Sequence, residues 1–532
     1  MTAYDVIILG GGVESLVAAG YLGKAGRRVL VLEAGDRLGG SLVTTEAVDG
    51  FRFDGCADVG GYLSPQVVQH LALAHHGLNY TSGTPFIFAP RLDGARAGAG
   101  AGAPIRLNAD PAATAAGLKA ISPQDGDRWP GFCERIGRYT SLLEKIYMSP
   151  APRPGVMEPG NIFTMVKLAA RARGLGKAEL LEFLRTAPMP VADLLDDWFE
   201  DEGLKGALGV PAVRHLCQGP RSAGTAFTFL HQHVGARGVP RGRPVITGGV
   251  GHLSWALEVA GRERGVEFRT GTPVAEVQVR DGRVGGVVLE NGDDLSASVV
   301  VSGHDARRTF LDLIDPVQLD PDFVHTVQHL RYRGVAAKVN LALSELPQFT
   351  GMQGPADLVG TIVLCDDLVQ LEQAYDAAKY GRVSDRLVAE VTVPSVTDPS
   401  LAPDGAHVMS VWLQYAPFHR RDGVWDKDSR EALGDAAQAL LAQYAPNIPG
   451  AVVGREIFTP LDMQAQFGLT EGNLYQGELG LDQVLFMRPI PGWSHYQTPI
   501  QGLYLCGQAT HPAGGIMGQS GLLAARQILK QS

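Results

Sequence analysis

The glycines Gly10-Gly11-Gly12, followed by Ser15 and then by Glu33, are residues of the types and spacing that can grip a dinucleotide. In such a site the first glycine allows a tight turn, and the second lets backbone approach a pyrophosphate lying over the positive end of a helix. Gly10 and Gly12 fit those two roles. An acidic side chain about 20 residues further on accepts hydrogen bonds from an adenosine ribose, and Glu33 stands there, followed by Ala34. The third motif position holds Ser15 where glycine or alanine is usual; a side chain this small still permits close packing of helix on strand. Val13 and Glu14 complete the turn. A carboxylate in the first helical turn suits the dipole but repels a pyrophosphate if it faces inward, so Glu14 is expected to point outward. A Gly-rich turn with no ligand is the plainer alternative, and it leaves Glu33 and the later pair Gly39-Gly40 without a role.

These residues need a β-α-β unit to hold them. Tyr4 to Leu9 is a short apolar run of the buried-strand kind. Val13 to Ala25 has apolar residues at helical spacing, Gly26 is a natural stop, and Arg28 to Leu32 reads as a second buried strand. At the far end of the chain, Leu503 to Cys506 reads as a strand and Gln519 to Leu529 as a helix, with a Gly-rich loop between them. That helix aims its N-terminus at whatever the loop holds. Between the two ends, Pro244 to Leu313 returns to the first domain: a helix over Leu253 to Arg264, then strands over Val274 to Val279, Arg283 to Leu289 and Val299 to Val301, with hairpin turns at Asp281-Gly282 and Asn291-Gly292. Residues 110 to 235 are largely helical in pattern and, with strands from about 330 to 415, form a second lobe. Phe163 to Phe183 is partly amphipathic, with Lys167, Arg171, Arg173 and Lys177 on polar positions. A solvated helix face is its commoner meaning, a peripheral membrane contact the rarer one.

Composition narrows the function classes. A chain of 532 residues, 45% hydrophobic and 19% charged, is large enough for two lobes and lies well away from disordered compositions. A net charge of −10 with no basic stripe disfavours nucleic acid as a partner. No apolar run reaches membrane-spanning length, and the chain enters its first strand at once without a signal segment, so a cytoplasmic protein is expected. The five cysteines are far apart, which excludes a sequence-local redox dithiol or zinc knuckle, and no HExxH or acidic companion surrounds His231 and His233; no metal is expected.

The stretch Glu33 to Gly40 resembles the extended fingerprint of FAD enzymes of the phytoene desaturase and amine oxidase superfamily, in which arginine often follows the paired glycines; this chain has Ser41. Gly248-Gly249-Val250-Gly251, Asp398 to Pro403, Leu481-Asp482-Gln483 with Arg488-Pro489, and Gly502 to Gly521 carry the likeness onward, the last block most specifically. The chain resembles the phytoene desaturase-like FAD oxidoreductases nearly end to end, most closely the branch called pyridine nucleotide-disulphide oxidoreductase domain-containing protein 2.

That resemblance implies an α/β fold: a Rossmann-like FAD-binding domain of the glutathione reductase-2 or amine oxidase kind, with an interleaved α+β substrate domain. The FAD domain is expected from residues 1–90, 240–315 and 480–532, the substrate domain from 110–240 and 316–480, and a flexible insertion over 91–109. It further implies that Gly39, Gly40 and Ser41 join the cofactor site and that backbone near Val274 pairs with the adenine, although a surface hairpin suits those residues equally. Gly507 and Gln508 would lie along the ribityl and pyrophosphate, and Gly515, Ile516 and Met517 along the flavin ring. The implied reaction removes hydride from a C–H bond of a hydrophobic or polyene-like substrate, with oxygen or a quinone taking the electrons, since neither a cysteine pair nor a second glycine fingerprint is present. His511 is the candidate polar group beside the ring, ahead of His231 and His233; a backbone-capping role is as common for such a histidine. Two other readings stay open. One is a flavin amine oxidase, which needs an aromatic cage for which Trp493, Tyr496 and Tyr504 are nearby in sequence; the other is a non-catalytic binding protein.

Overall fold

The computed structural model describes residues 4–56, 61–81, 83–92, 102–153, 155–236, 238–242 and 244–531. Strand β1 (Tyr4–Leu9), helix α1 (Val13–Lys24) and strand β2 (Val29–Leu32) form the unit that the N-terminal glycines require, with β1 and β2 parallel and in register from Val6 with Val29 to Leu9 with Leu32. Both faces of this pair are covered. Val6, Ile8, Val29 and Val31 pack toward α1, the helix Gly251–Arg262 and the C-terminal helix Gln519–Gln531, whereas Ile7, Leu9, Leu30 and Leu32 meet Phe310 and Phe323 on the other side. Two covered faces explain why both strands read as unbroken apolar runs.

The first sheet has the order Glu267–Arg269, β2, β1, Asp294–Ser302, Arg283–Leu289, Val274–Arg280, and Leu503–Leu505 pairs in parallel with Asp294–Ser302. Segments from the start, middle and end of the chain therefore share one sheet. Asp281 and Gly282 both take positive φ (50° and 70°), the geometry that a two-residue hairpin with matching twist demands. The strand expected at Val299 to Val301 is longer, Asp294–Ser302, because its first half pairs antiparallel in the hairpin and its second half pairs in parallel with β1.

The second sheet runs Val452–Phe458, Ala336–Leu343, His407–Gln414, Val388–Thr392, Thr361–Leu364, Phe86–Ala89, Ile105–Asn108. A helical layer that includes Pro123–Tyr147 and Thr225–Gln232 packs around Trp129, Phe132 and Phe229. Two expectations are corrected here. Phe86–Ala89 belongs to this second sheet, so the first domain's opening segment ends before residue 90. Ile105–Asn108 is a strand paired with it, so the stretch 91–109 is not wholly an insertion: Ile105 and Leu107 alternate with polar neighbours and bury on one face. Residues 93–101, with most of the Ala/Gly tract, lie outside the described residues. Phe163 to Phe183 is two helices, Pro159–Arg173 and Lys177–Thr186, interrupted where Gly176 takes a φ of +83°.

Candidate active site

The N-terminal turn is built as its glycines suggest. Gly10 has a φ of +83°, and Gly12 caps α1 without any side-chain acceptor on the first turn. A Cβ placed on Gly12 would meet no heavy atom within 4 Å, so the side of the turn facing away from the core is open. Gly39 N–H donates to Gly11 O at 2.9 Å, and Gly12 bridges Gly39, which brings the Gly39-Gly40 pair against the turn. Glu33 accepts from Gly11 N–H at 2.6 Å and from Gly35 N–H at 2.7 Å, one bond per carboxylate oxygen. Each oxygen keeps acceptor capacity for a further donor. Thr272 N–H donates to Glu33 O, and Gly271 N–H to Gly35 O, so the chain leading to Val274 runs beside Glu33, Ala34 and Gly35. Ser15 is buried, with its hydroxyl 3.7 Å from the Cys506 thiol, and Gly303 opposite it has no side chain to collide with.

Glu14 corrects an expectation. Its side chain does not point outward; it is 3% exposed and reaches across to the C-terminal helix, accepting from Gly518 N–H at 2.6 Å and Gly521 N–H at 2.7 Å. Burial pushes its carboxyl up to about 7, against the lowering effect of those backbone donors.

The C-terminal segment closes the other side. Ile516–Met517 pairs with Tyr62–Leu63, and Tyr62 N–H donates to Gly515 O. A narrow cleft of about 60 Å³ opens between Ser41, Gln508, Gly515 and Met517 on the first lobe and His215, Trp412 and Tyr475 on the second. Residues from both ends of the chain thus share one wall.

Arg488 ties the loops around this cleft together. Only 2% exposed, its guanidinium donates to the carbonyls of Tyr475, Gly477, Glu478, Gln483 and Gln508. The two central motif blocks also meet, since Asp398 accepts from Gly248 N–H at 2.6 Å.

The histidines separate by position. His511, the leading candidate from sequence, is fully buried: its Nε2 bonds to Ser149 O at 3.0 Å, its ring packs edge-on to Tyr147, and it is not among the residues of the cleft wall. It shapes the loop, and its placement does not suit a catalyst. His231 stands behind the flavin-loop candidates, with Tyr147 Oη at 2.8 Å from Nδ1 and Gly514 O at 2.8 Å from Nε2. A carbonyl only accepts, so Nε2 carries the proton and Nδ1 receives the tyrosine hydroxyl. Burial lowers both histidines to about 4, which keeps them neutral at pH 7. His233 is likewise buried and bonds to Phe229 O.

Sequence reasoning missed His215, Trp412 and Tyr475, whereas the aromatics near the C-terminal strand take the core-filling role usual for their positions. Trp493 packs on Phe323, Tyr496 donates to His511 O and Tyr504 donates to Gln531, so all three serve the core or its edge. The His215 ring lies 4.4 Å from Trp412 and 6.0 Å from Tyr475. Its backbone takes a φ of +59°, a costly conformation for a residue with a side chain, and Gln414 holds it there by accepting from His215 N–H and donating to Val213 O and Leu216 O. The only hint in the sequence is the Pro-rich break around these residues.

An open glycine turn at an uncapped helix start, an acidic residue at the end of β2, and a cleft walled by a Gly-rich loop fit an adenine dinucleotide that carries a flat redox ring; the arrangement is that of a flavin oxidoreductase. The chain belongs to the flavin-containing amine oxidoreductase family, which it matches over residues 16–529, and its cofactor is FAD. It is 33% identical to pyridine nucleotide-disulfide oxidoreductase domain-containing protein 2 of Rattus norvegicus, over 99% of this chain and 93% of that one. A phytoene desaturase (lycopene-forming) of Pantoea ananas is 24% identical over 97% of this chain and 96% of its own. In fold, the chain is similar to wild-type putrescine oxidase bound to putrescine, with a TM-score of 0.59 at 16% identity, covering 99% of this chain and 98% of that one.

Proposed function

We propose that this FAD-dependent oxidoreductase is a dehydrogenase, desaturase or oxidase that removes hydride from a C–H bond of a hydrophobic substrate. FAD supplies the hydride acceptor when bound. Gly10, Gly12 and the first turn of α1 hold its pyrophosphate; Glu33 takes the ribose, and backbone near Val274 the adenine. Ser41, Gly507, Gln508, Gly515, Ile516 and Met517 follow the ribityl chain and ring. The observation that carries the substrate class is a second, small cavity of about 90 Å³ beside the cleft, with Phe86, Ile246, Val250, Leu358, Val393 and Leu401 among its walls. Between the two spaces stands Lys338, whose ammonium lies 5.2 Å over the Trp412 ring and donates to Asp54 O and Gly55 O. Its apolar wall residues alternate with polar ones, among them Asp54, Arg241, Lys338 and Ser410, a lining that can orient a largely hydrocarbon substrate by a polar group and keep water from the reacting bond. Oxygen or a quinone serves as the final acceptor. The Pantoea relative, a phytoene desaturase by name, is consistent with this class.

The test is anaerobic mixing of the yellow protein with unsaturated hydrocarbons, lipids and amines. Hydrocarbon or lipid substrates are expected to bleach the flavin. Bleaching by amines alone would replace this reading with an amine oxidase, whose aromatic wall would then be Trp412 and Tyr475.

The same proposal extends to location. Helix Pro159–Arg173 contains Lys167, Arg171 and Arg173 and no carboxylate, in a chain whose net charge is −10. Phe163 and Val166 on this helix, with Leu181 and Leu184 on the next, are each more than half exposed. Exposed apolar side chains beside the cations of the first helix suit the surface of an anionic bilayer, while the second helix adds Glu179 and Glu182 to the same region. Co-sedimentation with phosphatidylserine-containing vesicles is expected, and it should fall several-fold in pure phosphatidylcholine or on combining Phe163→Ser with Val166→Ser. Equal recovery in the supernatant with both vesicle types would end this part of the proposal.

A further inference from the structure

The glycine-rich turn of a dinucleotide site has no evident use for a carboxylate, yet Glu14 sits in it, buried, with both oxygens engaged by the first turn of the C-terminal helix. The position of that turn gives the contact its meaning. Gly515 and Met517 line the cleft, and Gly518, the next residue, gives its N–H to Glu14. The N-terminal end of a helix carries partial positive charge, and here its first donors, Gly518 N–H and Gly521 N–H, turn onto Glu14 immediately past the residues assigned to the ring. A negative carboxylate on the same turn offsets that charge. A neutral one releases it.

We propose that Glu14 is a positioning residue that couples flavin reduction to uptake of one proton, through the N-terminal turn of helix Gln519–Gln531. The inference rests on the assignment of Gly515 to Met517 to the flavin ring. Hydride transfer from a substrate C–H bond adds two electrons and one proton to the ring, leaving it one unit more negative. That charge and an ionised Glu14 would then share one helix end. Protonation of the carboxylate from solvent relieves the conflict, and the proton leaves again when an oxygen- or quinone-class acceptor removes the electrons.

The surroundings favour this exchange. The carboxyl already lies near neutrality because burial opposes its charge, and the backbone donors of Gly521, Gly518 and Ser520 only partly offset that. The titratable groups that face it are the Cys506 thiol and the Tyr496 phenol, both pushed up by burial and both neutral at pH 7. Ser15, beside it on α1, bonds to Cys506 and carries no charge. The first turn of the C-terminal helix bears no acidic side chain, and its basic residue Lys530 lies in the last turn.

The experiment measures the midpoint potential of the FAD-loaded protein by dithionite titration from pH 6 to pH 9, which needs no substrate and so stands apart from the substrate assignment. Wild type is expected to show a potential that falls with one proton more per two electrons around and above neutrality than Glu14→Gln does. The potential of Glu14→Gln is expected to be the more positive at pH 8 and above, since a fixed negative charge is gone. Glu14→Asp, which keeps the charge, should restore the wild-type pH dependence. Should Glu14→Gln fail to retain FAD, the reduced-minus-oxidised infrared spectrum of wild type decides: a protonated-carboxyl band that grows on reduction supports the proposal, and its absence overturns it. Identical potentials and pH slopes for wild type and Glu14→Gln would overturn it as well.

Discussion

Gly12→Asp is expected to yield a folded, colourless protein. The position is open, for a Cβ at Gly12 would meet no heavy atom within 4 Å, and its φ of −66° with ψ of 164° is ordinary extended backbone that any residue adopts. The fold should therefore tolerate the side chain, in contrast to Gly10, whose positive φ makes any substitution strained. What the aspartate does occupy is the space over the uncapped first turn of α1, which the pyrophosphate needs. There it also caps the helix and brings a negative charge against two phosphates. Loss of the helix-end interaction and added repulsion together cost several kcal/mol, on the order of a thousand-fold in FAD affinity. The checks are flavin absorbance of the purified variant, its recovery on incubation with FAD, and circular dichroism to verify the fold. Gly12→Ala, which adds bulk without charge, should weaken FAD far less. Full flavin occupancy in Gly12→Asp would show that the cofactor's phosphates lie elsewhere.

Local patterns made much of the first lobe legible. Tyr4 to Leu9, the glycine turn and Glu33 could be placed because strand, turn and acidic residue all lie within one β-α-β unit. The C-terminal motif was equally plain, with its strand at Leu503, its glycine loop and its helix. What sequence could not disclose were contacts whose partners are hundreds of residues apart. Trp412 and Tyr475 read as two more apolar residues, and only the pairing of Ala336–Leu343 with His407–Gln414 and the clamp of Gln414 on the His215 turn bring them to the cleft. Glu14 is the sharpest case. From its neighbours alone a carboxylate at that position ought to avoid the ligand by facing water, but a helix end that begins 505 positions later offers backbone donors, and burial follows. His511 shows the converse: Gln508 and Gly515 on the same loop line the cleft, but its own ring turns inward to Ser149 and Tyr147.

The buried histidines predict a steep loss of stability in mild acid. His231, His233 and His511 are each pushed down to about 4 by burial, against 6.5 for an exposed imidazole. Between those limits the unfolded chain binds protons that the folded chain refuses, so stability falls as the pH drops from 6.5 toward 4 and is unaffected by these groups above that window. Glu14 acts in the opposite sense. Its folded pKa of about 7 lies above the usual carboxylate value of 4.5, so the folded state binds the extra proton between 4.5 and 7 and its contribution is lost as the pH rises through that range. His304, pushed down to about 3 by burial, joins the other histidines, and four histidines less one carboxyl leave three protons of net preference for the unfolded chain near pH 5. At about 1.4 kcal/mol per proton per pH unit, the expected slope is roughly 4 kcal/mol per unit. Against a stability on the order of 5–15 kcal/mol, a drop of two pH units brings the protein close to unfolding, with release of FAD. Urea unfolding at pH 7.5, 6.0 and 5.0, followed by circular dichroism and by flavin fluorescence, measures this directly. His233→Gln keeps a donor for the Phe229 carbonyl but cannot titrate, and it should reduce the slope near pH 5 by about 1.4 kcal/mol per unit. A slope unchanged by that substitution would mean that this ring is already protonated in the folded protein at pH 5, and that the acid lability, if found, comes from other groups.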